Sequence, residues 1–431
     1  MKKINFLRNS MALVAVSLMG IFTPAFAQEE ELSPTEKNTQ SIAALESKVN
    51  ALSNLKVSGY VQAQWLWTED ANVNGIDATK LGKPSDAMQN QFMVRRGRIK
   101  FAYTYGITQI VFQPDFTEKG VGVKDAYALI TAPTKWIAGQ AGIFDRPFGY
   151  EISRSSSVRE TPERSAVFLA LFPGEREVGA QMILKGKSGI LSDFTLNAGM
   201  FNGNGIAAET DSKKDFIGRL AYLKKTANAS FGVAASYYDG GVVQGDSSYT
   251  FSDGKFVKGD VEKYTYAKRQ YIGASAQYVQ DWKFGTTYLC AEFITGTQPG
   301  TKSDNANPGN TKQSGAMSIG AEKLYIRSFQ GGYIQWAQNI GATKHTLVVK
   351  YDFYDPNSKI SGDEIGVKGT NTSKTDIGLT AIGVGYNYRL NANVKFTAFY
   401  NMVKNETSAN VTGYNETIPA DTFTARVQLK F

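Results

Sequence analysis

The chain has few of the side chains on which enzymes and metalloproteins depend. It contains one cysteine, Cys290, and one histidine, His345. A single cysteine excludes an intramolecular disulfide and is better explained as a small apolar residue than as a reactive thiol. A single histidine leaves too few ligands for a zinc–histidine cluster, and its position by a short turn does not favour a serine–histidine pair. No pair of carboxylates and no phosphate-binding glycine loop stands out. The sequence therefore predicts no enzyme, no cofactor and no metal site.

Long apolar runs are also missing. Beyond the first residues, no segment has enough consecutive apolar side chains for a transmembrane helix. Proline is scarce (12 residues), whereas glycine (42), tyrosine (22) and phenylalanine (25) are abundant. Lys and Arg outnumber Asp and Glu by 47 to 39. These cations are spread along the chain, which argues against a nucleic acid partner because nucleic acid binding needs them clustered on one face.

The first 27 residues are predicted to be a signal peptide. Lys2, Lys3 and Arg8 precede an apolar stretch over 11–22, which is too short to span a bilayer. Ala25-Phe26-Ala27 then supplies the small residues that precede a cleavage site, so we expect export.

The next segment, 28–55, is polar and has a short helical pattern. Ile42, Leu45, Val49 and Leu52 occupy heptad positions, but two heptads are too few to be stable alone. The segment is interpreted either as a short coiled coil at the mouth of an assembly or as a periplasmic leader.

Strand patterns dominate the remainder, 56–431. In the last ten residues Phe423, Ala425, Val427, Leu429 and Phe431 alternate with polar residues, so one face of this strand is apolar and the other polar. A soluble sandwich has such strands too. After an export signal, and repeated along the chain, the pattern predicts an all-β fold, a transmembrane antiparallel β-barrel with an apolar outside and a polar lumen.

About sixteen runs have this character, an even number that is usual for bacterial barrels. They are 56–68, 90–104, 107–116, 123–132, 135–144, 175–186, 192–201, 214–224, 229–239, 264–280, 283–296, 328–339, 344–355, 374–389, 393–403 and 418–431. Short turns alternate with long polar loops, as in outer-membrane barrels. With a periplasmic N-terminus, the long loops would be extracellular.

Residue parity assigns faces to the first two strands. Trp65 and Trp67 share the lipid-facing side of the first strand, where an aromatic belt forms. In the second strand Ile99, Phe101 and Tyr103 face lipid, and the opposite face carries three cations: Arg96, Arg98 and Lys100. Cations are costly toward lipid, so these three are predicted to point into the lumen.

The loop over 145–174 is long enough to fold back into the barrel and narrow it. It and its borders carry five arginines: Arg146, Arg154, Arg159, Arg164 and Arg176. Arginine presents a planar fork of donors suited to phosphate or carboxylate. The alternative is that each arginine pairs with one of the acids of the same loop and only tethers it.

Several motifs resemble those of the phosphate-selective porins O and P. They are, in order, Phe92-Met93-Val94-Arg95-Arg96-Gly97-Arg98-Ile99-Lys100-Phe101, Lys124-Asp125-Ala126-Tyr127, Gly139-Gln140-Ala141-Gly142-Ile143-Phe144 with Arg146-Pro147-Phe148-Gly149-Tyr150-Glu151, Glu163-Arg164-Ser165 and Arg176-Glu177-Val178-Gly179. They lie within 92–205, about a quarter of the chain, and the rest is similar only in its barrel pattern.

This resemblance implies a sixteen-stranded homotrimeric porin whose third loop folds inward and whose cationic lumen passes small anions such as phosphate. The implied anion-lining residues are Arg96, Arg98, Arg146, Arg164 and Arg176, with Lys100 and Arg219 added by lumen parity. Asp125 and Tyr127 are implied to support them. One departure stands out: Asp145 replaces a lysine common in the family, which argues against strict phosphate selectivity.

The leading hypothesis is thus a passive diffusion channel in the outer membrane of a Gram-negative bacterium, in contact with outer-membrane lipid and with a preference for small anions. Two alternatives stay open: a general porin for neutral solutes, with mutually compensated lumen charges, and a barrel whose long loops bind a surface ligand.

Overall fold

The structure is a computed structural model that describes residues 53–69, 90–209, 211–245, 247–303 and 323–431, together with residues 38, 39, 41, 42, 45 and 49. The chain divides into two units, residues 1–53 and 54–431. In the first unit the described residues are helical and exposed, among them Ile42, Leu45 and Val49 of the heptad pattern. The predicted signal peptide and Leu52 lie outside the described residues, and the coiled coil stays a prediction.

The second unit is almost entirely β-structure. Its strands are β1 (Leu55–Thr68), β2 (Asn90–Tyr105), β3 (Thr108–Thr117), β4 (Gly120–Thr131), β5 (Ile137–Asp145), β6 (Arg176–Lys185), β7 (Phe194–Phe201), β8 (Asp215–Lys225), β9 (Ala229–Val243), β10 (Ser247–Ser252), β11 (Lys255–Asp260), β12 (Tyr266–Trp282), β13 (Gly285–Gly300), β14 (Leu324–Asn339), β15 (His345–Asp355), β16 (Leu379–Arg389), β17 (Val394–Asn405) and β18 (Thr422–Lys430). One short helix, α1 (Ala166–Leu171), and 3-10 turns at Gly189–Asp193, Gly362–Glu364 and Lys374–Asp376 complete the described elements. None of the described helices is long and apolar enough to cross a membrane.

Sixteen of the described strands close into an antiparallel barrel. Each of β1 to β9 pairs with its neighbour, β9 pairs with β12, and β12 to β18 continue in order until β18 pairs with β1. Every predicted strand is present, with ends shifted by a few residues, so the predicted fold is confirmed. The seam closes through Phe431, whose backbone exchanges hydrogen bonds of 3.0 and 3.1 Å with Gly59.

Connections at the two ends of the barrel differ in length. One end, here called the turn end, has short connections such as 106–107 and 283–284. The other, the loop end, has most of the long connections, including 146–175 and 356–378. The predicted alternation is therefore present, with one exception at the loop end, where β3 and β4 are joined by the two residues 118–119.

Alternate side chains of each strand face opposite sides of the barrel wall. In β18 Thr424, Arg426 and Gln428 are buried inside, while Leu429 is 53% exposed outside. In β2 Arg96 and Arg98 are buried, whereas Phe92 is 86% exposed. The outer wall thus presents apolar side chains and the inner wall polar ones, as required of a barrel in lipid.

Two β-bulges interrupt this alternation, and each turns a cation inward. In β2 the register with β1 skips Arg95, and in β4 the register with β3 skips Lys124. A bulge adds an unpaired residue and re-aims its side chain. Strict residue parity places Arg95 on the lipid side, but its guanidinium contacts Glu163 inside the barrel.

A hairpin formed by β10 and β11 is not one of the sixteen barrel strands and joins the sheet at the loop end. Residues 248–250 of β10 pair in parallel with β14, and Tyr249 stacks on Tyr325 with 4.5 Å between ring centroids. The backbone N–H of Phe256 in β11 donates to Thr370 of the loop 356–378. The sequence pattern assigned this segment to a polar loop, so these two strands were missed.

Candidate functional site

Residues 146–175 connect β5 to β6 and fold into the barrel. The span is one residue later than predicted, because Asp145 still pairs with Arg176 in the β5–β6 register. Phe148, Phe168 and Phe172 of this loop are fully buried against wall residues that include Tyr271 and Phe329. Burial of an aromatic side chain of this size stabilises by about 1.5–3 kcal/mol. An apolar core inside the lumen therefore anchors the loop.

Polar contacts fix the loop to the wall on several sides. The hydroxyl groups of Tyr60 and Ser156 lie 2.6 Å apart, and the Lys395 ammonium donates to the Arg159 carbonyl at 2.9 Å. On another side, the Glu292 carboxylate accepts the backbone N–H groups of Tyr150 and Glu151 at 2.6 and 3.0 Å. These contacts hold the loop as a fixed constriction.

Three guanidinium groups converge on one carboxylate, that of Glu163. Arg95, Arg96 and Arg426 form ion pairs with it at 2.9, 2.8 and 2.7 Å, and we call these four residues the arginine cluster. Burial alone would raise the pKa of the Glu163 carboxyl, but the three guanidinium groups hold that pKa well below its usual range. The cluster retains two uncompensated positive charges, because Glu163 neutralises only one of its three partners.

Arg159 lies in the same loop and its guanidinium has no partner among the described residues. The residue is 3% exposed, and none of its three side-chain nitrogens makes a hydrogen bond. Burial, together with the positive charges of Arg164 and Arg96, lowers the pKa of the Arg159 guanidinium well below its usual value. Arginine nevertheless stays protonated in proteins. Arg159 is thus a buried charge whose donors are all unused, which is rare in folded proteins.

Most of the arginines singled out by the sequence are engaged in ion pairs. Arg98 pairs with Asp115 at 2.9 Å, and Arg146 pairs with Glu177 at 2.6 Å. Arg164 pairs with Glu175 and also donates to three carbonyl groups of its own loop, those of Glu151, Ile152 and Arg154. These contacts correspond to the tethering alternative, in which each arginine pairs with an acid and holds the loop in place.

Arg176 connects three acids at the end of the loop. Its guanidinium contacts Asp125 at 3.1 Å, Asp145 at 2.8 Å and Glu175 at 3.0 Å. Asp125 thus contacts a cation, and its supporting role in anion binding stays a prediction. Asp145 neutralises Arg176 and not its sequence neighbour Arg146, because Arg176 lies directly opposite Asp145 in the β5–β6 register.

The supporting Tyr127 lies on the inner side of β4. Its ring packs edge-on against Phe144, with 6.1 Å between centroids. It belongs to the rim of the apolar core and makes no contact with the arginine cluster among the described side-chain contacts.

Arg219 and Lys100 are the two predicted lining cations without an ion-pair partner in the described part of the chain. Arg219 is half-buried on the inner face of β8, and its Nε atom has no hydrogen-bond partner. Lys100 is half-buried on the inner face of β2, on the turn-end side of Arg98. These two are accordingly the predicted residues whose charges are least compensated.

Three cations at the site were not assigned to it from the sequence. Arg95 points into the lumen only because of the bulge in β2, and no local sequence pattern reveals that bulge. Arg159 was noted only as one of the five arginines of the loop and its borders. Arg426 is different, because the alternation in β18 already placed it on the polar face. The residue parity that placed Arg219 in the lumen places Arg426 there as well.

Metal binding finds no support in the described residues, where no three His, Cys, Asp or Glu side chains are grouped to hold an ion. His345 lies at the turn end, 5.1 Å from the ring of Tyr388. Its surroundings are those of an aromatic belt residue.

These features define a class: a transmembrane β-barrel with an inward-folded loop and a charged lumen. An apolar outer wall and a polar inner wall are the arrangement of Gram-negative outer-membrane barrels, so the predicted outer-membrane location is confirmed.

Comparison with solved structures identifies the fold as that of outer-membrane porins. The chain is similar to OmpF of Salmonella typhi in complex with daunomycin (TM-score 0.55, 12% identity, covering 88% of this chain and 97% of that one). It is similar to OprB of Pseudomonas putida (TM-score 0.53, 8% identity, 89% and 96%) and to an anion-selective porin from Comamonas acidovorans (TM-score 0.52, 9% identity, 88% and 99%). No family model and no curated protein matches the sequence. At these identities the likeness shows the fold.

Proposed function

We propose that the protein is a passive diffusion channel of the outer membrane with a preference for small anions such as phosphate. The observation that carries the proposal is the arginine cluster, in which Arg95, Arg96 and Arg426 share the single carboxylate of Glu163. Arg159 adds a further charge with no ion-pair partner in the same loop. Low-dielectric walls focus the field of such charges, which concentrates anions and repels cations.

Anion preference depends on the uncompensated positive charge in the lumen and not on the number of arginines. The motif arginines Arg98, Arg146, Arg164 and Arg176 are neutralised locally and hold the loop in place. We therefore expect a preference for anions and not strict anion selectivity. The net positive charge at the constriction is much smaller than the number of arginines in the sequence indicates. The motif resemblance to the phosphate-selective porins supports the anionic solute class and a homotrimeric assembly, and both belong to this proposal.

One observation favours the second candidate, a general porin for neutral solutes. The four paired motif arginines are the compensated lumen charges that such a channel would have. The third possibility, a barrel whose loops bind a surface ligand, receives no comparable support from the described contacts.

Reversal potentials in planar bilayers separate the two channel hypotheses. Arg95→Gln is the informative variant, because Arg95 is the most exposed arginine of the cluster and Glu163 keeps two other partners. We expect wild-type protein to prefer anions and Arg95→Gln to shift the reversal potential toward cations. Glu416→Gln changes an exposed acid of the loop 406–421 and serves as the control. A wild-type reversal potential at zero would support the neutral-solute porin.

A further inference from the structure

A row of amide side chains crosses the inner wall of the barrel on β5, β6 and β7. Gln140 lies opposite Gln181 in the β5–β6 register, and the Gln181 amide nitrogen donates to the Gln140 oxygen at 2.7 Å. The Asn197 amide nitrogen donates to the Gln181 oxygen at 3.4 Å. The residue directly opposite Gln181 on β7 is Gly199, which has no side chain to separate Gln181 from Asn197.

The row ends on an arginine. Asn197 lies opposite Arg219 in the β7–β8 register. Arg219 has no ion pair among the described residues, and the carboxylate whose charge acts on it is that of Glu292. Glu292 is already occupied by backbone N–H groups of the loop. The guanidinium of Arg219 is therefore open to an external acceptor.

The unused hydrogen-bonding groups of this row are mostly donors. Each primary amide carries two N–H groups and one oxygen. Within the row the oxygens of Gln140 and Gln181 are used as acceptors, whereas at least one N–H group of each of the three amides is not used within the row. A ligand that fits the row must therefore offer several oxygen acceptors, with an anionic one at Arg219.

The row of side chains is too long for one compact ion to contact all of its members. From β5 to β8 it covers three interstrand steps, about 14 Å at roughly 4.8 Å per step. A single phosphate reaches one or two of these side chains. A chain of hydroxyl groups ending in a carboxylate reaches all four, because the planar guanidinium fork matches a carboxylate and the amides match hydroxyl oxygens.

We propose that Gln140, Gln181, Asn197 and Arg219 form a binding track for polyhydroxylated monocarboxylates of the sugar-acid class. The inference rests on the proposed function in that it names a solute class for the same lumen. The track lies on strands β5 to β8, apart from the arginine cluster, which is built from β2, β18 and the loop.

Isothermal titration calorimetry on the purified barrel in detergent tests the track without requiring a current. The probes are gluconate, acetate, glucose and inorganic phosphate, which separate the carboxylate, the hydroxyl groups and the bare anion. We expect gluconate to bind most tightly. Arg219→Gln should weaken gluconate binding about 10–100-fold, as for loss of a charged hydrogen bond, and Gln181→Leu about 3–10-fold.

Gln277→Leu is the matched control, since Gln277 is an inner-wall glutamine of β12 outside the row. Its gluconate affinity should equal that of the wild type. Asn197→Leu replaces Gln181→Leu if the latter fails to assemble. Absence of gluconate binding, phosphate binding as tight as that of gluconate, or equal effects of Gln181→Leu and Gln277→Leu would each overturn the track. Failure of the anion-channel proposal is seen separately, as a wild-type reversal potential that shows no anion preference.

Discussion

Replacing Arg159 by methionine gives the most informative single variant of the loop. Methionine is unbranched and apolar and adapts to irregular space, so it fills much of the volume of the arginine stem. A buried polar group without hydrogen bonds costs about 1–3 kcal/mol, and a charged one more. Because Arg159 is 3% exposed and its guanidinium has no hydrogen-bond partner, we expect Arg159→Met to increase the free energy of unfolding by about 1–3 kcal/mol in buffer without phosphate.

Arg164→Met is the matched control with the opposite expected sign. Arg164 belongs to the same loop but binds Glu175 and three carbonyl groups. Removing one partner of a buried ion pair costs about 3–5 kcal/mol. We expect a loss near the lower end, about 3 kcal/mol, since Glu175 keeps Lys124 and Arg176 as partners.

Urea unfolding of the barrel in lipid vesicles, with and without phosphate, measures both effects. A ligand that binds only the folded state at 100 times its Kd stabilises by about 2.7 kcal/mol. Phosphate should therefore stabilise the wild type more than Arg159→Met, and the variant should have a weaker anion preference in bilayers. If Arg159→Met is destabilised as much as Arg164→Met and its reversal potential is unchanged, Arg159 is a structural residue and the reasoning is refuted.

Three further outcomes are expected. Deleting Phe431 should lower the yield of assembled barrel in outer-membrane fractions, because its backbone closes the seam on Gly59; normal assembly would contradict the role of this terminus. Ile99→Arg should destabilise the barrel by about 2–4 kcal/mol and Leu429→Arg, nearer the interface, by about 0–1 kcal/mol in vesicle unfolding; equal costs would show that depth in the bilayer is misassigned. The stability difference between wild type and Glu163→Gln should be constant from neutral pH down to the usual carboxyl pKa of 4.5 and shrink only at lower pH, because the pKa of Glu163 is held well below that value in the folded protein. A difference that already declines at pH 6 would mean that the pKa of Glu163 is not depressed.

The barrel could be predicted from the sequence because its signal is local. Each strand must present apolar residues to lipid at every second position, so the alternation over Phe423, Ala425 and Val427 needs no knowledge of neighbouring strands. The hairpin β10–β11 is not part of the closed barrel, and its two strands have only six residues each, so its alternation was missed. Helix α1 was missed for a similar reason, since its six residues are too few to establish a helical period.

The site was predicted only in part, because its contacts connect distant residues. Parity correctly placed Arg96 and Arg98 inside the barrel. It gave no information on which acids neutralise them, and the Arg96–Glu163 and Arg426–Glu163 pairs connect residues 67 and 263 positions apart. Ion pairing at such separations depends on barrel closure and on the path of the loop. The sequence therefore indicated the cations and not which of them remain uncompensated.

We propose that uncompensated arginine charge at the loop gives the channel an anion preference. The reversal potential of the wild-type protein in a planar bilayer, across a tenfold gradient of potassium chloride, tests this claim most directly. We expect a reversal potential of the sign set by chloride, which shrinks as the total salt concentration is raised and the charges are screened. A potential of the sign set by potassium, or one of zero at low salt, would contradict it.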